Sequence, residues 1–420
     1  MRKKKLLMGL CITLCVVLIG LLGFLGLKGI YQNMKEEDQQ EQMQQEASKT
    51  YEADIMCVGD FVIHQAIIES KHYQPQENNF DFSNIFLYIK DVYQEGDFTP
   101  ATLEGALCES DYSGYPLFRT PSQLMDDVKA SGIDLINMAN NHVYDDYHQG
   151  VLNSIATLEA KEMDYHGIRA SETDKNYYVR EIEGIKVGFF NYVFETSDGY
   201  GNPGINGIML EQESIPLINS FSEYDLERLY GDVQAILDAM KKEEVEFIVA
   251  FMHWGEEYQH YPSYSQEVIA QQFCEMGIDA LIGSHPHVVQ TTDLLVSSDG
   301  SHEMLCAYSL GNHLSNQRVE YMDGISNGNT EDGLMVKLSL FKDSNGEVTL
   351  KNVTWIPTWV YYEYDPTNLS YYQIMPLDRY EDIIKDKKVD FSSDAKASLE
   401  RTNNIFGAGV SKITEALPLK

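Results

Sequence analysis

The sequence predicts an α/β protein of mixed sheets covered by helices, on three observations. Short apolar runs alternate with amphipathic stretches along the chain, as strands alternate with helices. "YYVREIEGIKVGFFNYV" reads as two strands around Glu183-Gly184, an antiparallel pair in an otherwise crossover pattern. "GLMVKLSLFKDSNGEVTLKNVTWIPTWVYYE" alternates around a tight-turn signal, "KDSNGE", and reads as a hairpin extending the core.

The predicted strands are "ADIMCVG", "GDFTPATLEG", "GIDLINMAN", "IKVGFFNYV", "EFIVAFMHW", "GIDALIGS" and "MLCAYSLGN". The predicted helices are "SNIFLYIKDVYQ", "PSQLMDDVKAS", "QGVLNSIATLEAKE", "DLERLYGDVQAILDAMKK" and "SQEVIAQQFCEMG", each with apolar residues three and four apart. From Asp378 to about Phe406 the pattern is helical and polar.

The first residues predict a membrane anchor. Arg2, Lys3, Lys4 and Lys5 precede an uncharged apolar run over residues 6–27. About 20 helical residues cross a bilayer core of roughly 30 Å. The basic residues put 1–5 in the cytoplasm and the body outside, at the cell membrane, as a single-pass protein. A cleaved signal peptide competes with this reading, but the run is long for one and no small-x-small site follows. Residues 28–51 form a polar Gln/Glu-rich linker, 52–375 the main body and 376–420 a helical tail. At 420 residues the chain accommodates one large domain with decoration or two domains.

A formal charge of −34 excludes nucleic acid as a partner, because phosphate backbones require clustered Lys and Arg. It also repels a polyanion unless metal ions invert the local field. Of six cysteines, Cys11 and Cys15 lie in the apolar run. Cys57, Cys108, Cys274 and Cys306 have apolar surroundings and read as buried free thiols, with a disulfide the alternative. G-x-S-x-G, P-loop and dinucleotide signatures are absent. "YGNPGING", residues 200–207, reads as a loop, a candidate lid.

Chemistry gathers where the apolar runs end. Asp60 follows "IMCVG", Glu104 follows "PATL", Asn140, Asn141 and His142 follow "LINMA", His253 follows "FIVAFM", and His285 and His287 follow "DALIGS". Taken singly, such residues are usually caps, turn formers or structural histidines. Together they offer carboxylate, amide oxygen and imidazole at the sheet edge where open α/β folds bind ligands. That set suits Mn, Zn or Fe, and carboxylate bridging suits two ions about 3.5–4 Å apart.

"VGD", "LEG", "NMANNHVYD", "FMHWGEEY", "GSHPHVVQ" and "YSLGNH", in that order, resemble the CapA family of poly-γ-glutamate capsule biosynthesis proteins, a branch of the calcineurin-like metallophosphoesterases. The resemblance covers roughly residues 52–315. It implies a four-layer αββα sandwich with two divalent metal ions at the strand ends. Asp60 then matches the first metal-binding Asp and Glu104 stands at the bridging carboxylate. Asn141, His253, His285 and His287 match the other ligands, and His142 the catalytic His. His285 and His287, two apart, would both face inward by strand alternation, with Pro286 stiffening the turn.

The departures are specific. His64 lies four residues after Asp60 where the superfamily has His two after, so it reads as a residue behind the ligands or an exposed cap. Glu104 replaces the usual Asp, Thr102 the usual Asn, and His313 an aromatic residue. His313 reads as a polar contact at the rim or a surface histidine. Trp254 is expected to pack beneath the site. Glu257 either fixes a ligand histidine or faces water, and Asp145 and Asp146 either fix His142 or cap the helix near Tyr147. Asn140 and Asn312 are candidate contacts of the site.

The implied function is a membrane-anchored, extracytoplasmic, metal-dependent hydrolase of phosphoester or related bonds in capsule biosynthesis. γ-Glutamyl amide hydrolysis is a further option. The alternative is a non-catalytic accessory subunit of a poly-γ-glutamate or cell-envelope polymer assembly. The partners implied are the membrane, poly-γ-glutamate synthase subunits, and an anionic polymer or phosphoester substrate.

Overall fold

The computed structural model describes residues 1–46, 49–76, 79–198, 200–365 and 368–416. The chain divides into two units, one of Met1–Thr50 with Lys342–Glu347, the other of Tyr51–Phe341 with Val348–Lys420.

In the first unit a single helix, α1, runs over Arg2–Glu46. It does not stop where the apolar run stops but continues through the Gln- and Glu-rich segment. Among the described residues no helix is long and apolar enough to cross a membrane, so the expected transmembrane helix over 6–27 is not supported.

In the second unit the strands follow in chain order as β1 (Tyr51–Val62), β2 (Pro100–Glu104), β3 (Leu135–Asn137), β4 (Asp164–His166), β5 (Tyr178–Ile182), β6 (Ile185–Phe194), β7 (Ser220–Phe221) and β8 (Phe247–His253). They continue as β9 (Ala280–Ser284), β10 (Thr292–Val296), β11 (Glu303–Ala307), β12 (Asn312–Leu314), β13 (Asp332–Lys342), β14 (Val348–Asp365) and β15 (Asn368–Pro376). The principal helices are α2 (Leu124–Ser131), α3 (Tyr147–Ala160), α4 (Leu226–Lys242), α5 (Tyr264–Glu275), α6 (Tyr380–Lys387) and α7 (Ser392–Ala416).

The fold is mixed α/β, as predicted, with two large sheets. One has the order β15-β14-β13-β1-β2-β3-β4, with β12 on β1; the other β7-β6-β8-β9-β11-β10, with β5 on β6. β1, β2, β3 and β4 are parallel, as are β6, β8, β9 and β11, while β5 and β10 are antiparallel edges. The β5–β6 hairpin turns at Glu183 and Gly184, whose φ values of 46° and 84° suit the right-handed strand twist.

Alternation along the strands sorts the core. Ile55 and Cys57 of β1 share a cluster with Phe189 of β6, Phe251 of β8, Ile282 of β9 and Leu338 of β13, so residues of both sheets meet there. Met56 and Val58 point the other way, to Val128 of α2 and Val151 and Ile155 of α3. Phe190, Ala250 and Leu281 likewise turn outward to Val233 and Ile236 of α4 and Phe273 of α5. Each Val, Leu, Ile, Phe or Met among them contributes about 1.5–3 kcal/mol on burial. The four body cysteines are buried free thiols, as read from the sequence.

The predicted helix "SNIFLYIKDVYQ" is a correction: it breaks into a 3-10 turn, Ser83–Phe86, and a short helix, Lys90–Tyr93. Its apolar residues are too dense for one stripe, and Ile85, Phe86, Ile89, Val92 and Tyr93 are all buried by curling under β1 and β2. The C-terminal helix α7 is fastened to the sheet: Arg401 Nε and Nη2 donate to Asp332 at 2.8 and 2.7 Å, and Ser398 Oγ donates to the same carboxylate at 2.6 Å.

Gly283, in β9 just before the site, admits no side chain. A Cβ there would stand 1.8 Å from the Tyr308 carbonyl oxygen and 2.6 Å from Trp254 Nε1. Gly283→Ala is therefore expected to destabilise the protein by about 3 kcal/mol or more, checked by urea unfolding. A change under about 0.5 kcal/mol would contradict this packing.

Candidate metal centre

The parallel strands β1, β2, β8 and β9 deliver their C-terminal residues to one edge. Asp60 sits opposite Asn312 of β12 and Thr102 of β2, at a point where the register of β1 with β12 slips by a residue. Such an irregularity turns a side chain out of the strict alternation. Glu104 and His253 are the last residues of β2 and β8. Asp60, Glu104 and His253 are buried, and their ligand atoms all lie within 4.8 Å of one another. The group could hold a metal ion.

Around it the remaining predicted residues converge. His287 Nε2 and His142 Nε2 lie 3.6 and 3.7 Å from Glu104 Oε1, and His253 Nε2 lies 4.0 Å from Oε2. Asn141 Oδ1 is 2.8 Å from His253 Nε2. The backbone amide of His285 donates to Asp60 Oδ2 at 3.0 Å, and its ring lies 4.9 Å from that of His253.

The inward aim of His285 and His287 comes from a different source than expected. β9 ends at Ser284, and both histidines have left-handed backbones, φ 94° and 59°. Strand alternation does not reach them; a turn around Pro286 does. Non-glycine residues held there signal backbone fixed by its surroundings. Tyr258, at φ 65°, donates its amide to the Pro286 carbonyl at 2.8 Å and locks that turn.

Hydrogen bonds set the imidazoles. Asn312 Nδ2 donates to Gln317 Oε1 and the Thr330 carbonyl, at 2.8 and 2.9 Å, so Oδ1 is the end that meets His287 Nδ1 at 3.0 Å. His287 therefore carries its proton on Nδ1 and turns the Nε2 lone pair to Glu104. His142 Nδ1 lies 2.6 Å from Asp145 Oδ2, which also accepts the Phe118 amide. Ser284 Oγ is 2.9 Å from His253 Nδ1. Asn140 is saturated by the local chain: it donates to the Leu103 and Met138 carbonyls and accepts the Gly105 and His142 amides. It ties the Glu104 and His142 loops together.

Electrostatics test whether a cation fits. Asp60 Oδ1, both oxygens of Glu104 and His285 Nδ1 are buried without a hydrogen-bond partner. Burial pushes Asp60 up to about 7, and burial with the Asp60, Glu257 and Asp145 charges holds Glu104 well above the carboxylate range. Burial drives His253 and His285 well below the ordinary histidine value, and His287 down to about 3, so all three are neutral. Buried carboxylates without cations beside unprotonated imidazoles are costly alone and are a divalent ion's donor set. The residues fit.

Other predicted residues stand at the margin. His64 accepts the Asn316 amide at Nδ1, 3.1 Å away, and packs against Phe118. It holds the β12 exit beside the centre. Glu257 is 46% exposed, with Oε1 4.0 Å from His287 Nε2. Trp254 is buried beneath the site and donates to the Tyr308 carbonyl at 3.0 Å. Asp145 and Asp146 divide the duties considered for them: Asp145 takes His142, while Asp146 pairs with Arg119 and stands at the N-cap of α3 without a side-chain cap bond. Thr102 accepts from Asn137 Nδ2 at 3.2 Å, within the sheet.

His313 is corrected: it is neither at the rim nor at the surface. It is 1% exposed, its Nε2 2.6 Å from the Tyr93 hydroxyl and its ring against Phe61, because alternation along β12 turns it away from Asn312. The predicted loop 200–207 is partly a small sheet of strands Thr196–Ser197, Pro203–Ile205 and Ile208–Met209. Asn206, at its turn, comes within 3.3 Å of His142 Nδ1.

Ser284, Phe118 and Phe194 escaped the sequence reading, whereas Asn206 lies in the loop 200–207 read as a candidate lid. Ser284, adjoining His285 in "GSHPH", carried a signal of its own. Phe118 lies edge-on to His142 at 4.6 Å and Phe194 against His285 at 4.7 Å.

Residues 54–317 match the family described as "Bacterial capsule synthesis protein PGA_cap". The chain belongs to this family. The PGA_cap family is in the metallophosphoesterase-like superfamily, in keeping with the resemblance read from the motifs. The chain is 24% identical over 258 residues to "Capsule biosynthesis protein CapA" of Bacillus anthracis, covering 60% of this chain and 58% of that protein. It is 22% identical over 314 residues to "PGA biosynthesis protein CapA" of Bacillus subtilis (strain 168), covering 72% of each. It thus spans little more than half the length of the first relative. All the residues of the centre named above fall inside the family match.

Asn312→Ala removes the acceptor that sets the His287 tautomer. Metal affinity is expected to fall about 10–100-fold, read by isothermal titration with Mn. An unchanged affinity would remove His287 from the ligand set.

Proposed function

We propose that this protein serves capsule biosynthesis, of the poly-γ-glutamate type that the motif resemblance implies, by hydrolysing a phosphoester or related bond, a γ-glutamyl amide included, at a centre of two divalent ions. Mn, Fe or Zn suit the donor set. One observation carries the reading: both oxygens of Glu104 are buried and unpartnered, with imidazole nitrogens of His142, His253 and His287 at 3.6–4.0 Å. A carboxylate so placed is suited to bridging. The expected four-layer αββα arrangement belongs to the same reading and is supported by the three core clusters described above.

Asp60, Glu104, Asn141, His253, His285 and His287 would hold the ions. Bound there, the ions would supply a nucleophile at neutral pH and would neutralise charge on the phosphoryl oxygens. His142 offers a proton at Nε2 to the leaving oxygen, and Asp145 steadies its charged form through Nδ1. Asn206 approaches the same Nδ1, and Phe118 lies edge-on to the ring.

A second reading, a non-catalytic accessory subunit working with polymer synthase subunits, is favoured by the relatives' printed names, which speak of biosynthesis. Purified full-length protein incubated with an aryl phosphate ester and Mn, Fe or Zn separates the two. Turnover that disappears in His142→Ala supports hydrolysis; none with any metal supports the accessory role. A location outside the cytoplasm at the cell membrane is part of the proposal. It rests on residues 2–5 preceding the uncharged run and is checked by protease digestion of intact cells.

A further inference from the structure

Asp60, Glu104 and Asp145 are at most 1% exposed, whereas the Glu257 side chain is 46% exposed. Its Oε1 lies 4.0 Å from His287 Nε2, the nitrogen that also faces Glu104. Glu257 is thus the carboxylate of this group that meets both the centre and incoming solute.

Its position is built. Gly255, at φ 86°, lets the chain pass Gln266, whose amide oxygen would stand 2.4 Å from a Cβ there. Gln266 is locked by the capping box of α5 with Ser263. On the other side Tyr258 is tied to the Pro286 carbonyl. The Tyr258 hydroxyl accepts from Gln317 Nε2 at 3.4 Å, and Gln317 in turn holds Asn312. The backbone on either side of Glu257 is therefore held against the turn that carries His287.

The surrounding charge has one sign. Among the described residues, the ion-pair partners of Asp60, Glu104 and Glu257 are all histidines. Arg119 and Arg318 are engaged by Asp146 and Glu331. Bound metal ions would attract one anionic group, but among the described residues no Lys or Arg pairs with these carboxylates to receive a second.

We propose that Glu257 is a specificity-determining residue that accepts an ammonium or hydroxyl donor on the substrate next to the bond cleaved, and that it rejects substrates bearing a carboxylate there. This rests on the hydrolase reading and narrows its substrate class. The centre would then act on a phosphoester or an amide with a donor-bearing flank, and the γ-glutamyl amide of a polymer that carries a carboxylate beside every bond falls outside that class.

The test uses the full-length protein loaded with Mn and four probes: inorganic phosphate, phosphoethanolamine, glycerol 3-phosphate and 3-phosphoglycerate, titrated calorimetrically. The expected order is phosphoethanolamine tightest, then glycerol 3-phosphate, with 3-phosphoglycerate at least about tenfold weaker than the first, an interval of about 1.4 kcal/mol. Glu257→Gln should compress that interval to under about threefold while Mn stoichiometry stays unchanged. Equal affinities in the wild type, or an interval that survives Glu257→Gln, overturn the proposal while phosphate binding leaves the hydrolase reading standing. Altered Mn stoichiometry in Glu257→Gln also overturns it, making Glu257 a ligand. Failure of every probe, inorganic phosphate included, overturns the phosphoester reading and this inference with it.

Discussion

Glu104→Gln is expected to weaken Mn or Zn binding more than 100-fold and, in the same protein, to stabilise the metal-free state. The two effects share a cause. Glu104 brings a carboxylate into full burial beside Asp60, with neither oxygen partnered. Without a cation that charge is opposed by desolvation and by its acidic neighbours; with one it is the strongest donor present. The folded pKa of Glu104 is raised above its unfolded value. Its contribution to metal-free stability is therefore fully present below about pH 4.3, the unfolded value, and is lost as pH rises through the folded one. Asp60 follows the same sign, with a window from 3.8 to about 7. His287, depressed from 6.5 to about 3, has the opposite sign and loses its contribution as pH falls through that interval.

Calorimetric unfolding from pH 4 to 8, with and without metal, reads all of this. Wild type should gain about 2.7 kcal/mol at a hundredfold excess of metal over Kd. Glu104→Gln should lose that gain and flatten the pH slope above pH 5. A variant that keeps the full metal-induced shift would show that Glu104 is not at the centre of ion binding.

The second large effect is expected from His142→Asn: a fall of about 10²–10⁴ in kcat on an aryl phosphate ester, with metal stoichiometry intact. The ring has Asp145 at Nδ1, Glu104 on the side of Nε2 and Phe118 edge-on, so its orientation is fixed and its protonatable nitrogen faces the centre. Asn preserves bulk and polarity but moves no proton. Asp145→Asn should lose less, because the amide oxygen still accepts from the Phe118 amide and from Nδ1, while the support for a charged ring is gone. Equal kcat in His142→Asn and wild type would assign the hydrolysis to other groups. Loss of metal in His142→Asn would make the histidine a ligand.

Much of this was legible in the chain. Apolar runs ending in Asp60, Glu104, Asn141, His253, His285 and His287 named both the strands and the donors, because strand period and donor chemistry are local properties. The same locality explains the misreadings. "SNIFLYIKDVYQ" has helical periodicity, but its density of apolar residues was resolved by the surface available under β1 and β2. His313 is polar by type, yet its place one residue after Asn312 on a strand sends it into the core.

By itself, then, the sequence determined which elements form and which side chains could bind a cation, through patterns spanning a few residues. The tertiary structure decided how they are aimed and supported. His285 reaches Asp60 across 225 positions of sequence, Asn141 reaches His253 across 112, and Asn206 comes to His142 across 64. The left-handed turn that points both histidines inward, and the burial that keeps them neutral and leaves Glu104 unpaired, follow from packing of two sheets against one another. No local spacing encodes them, because desolvation and backbone constraint are set by neighbours distant in the chain.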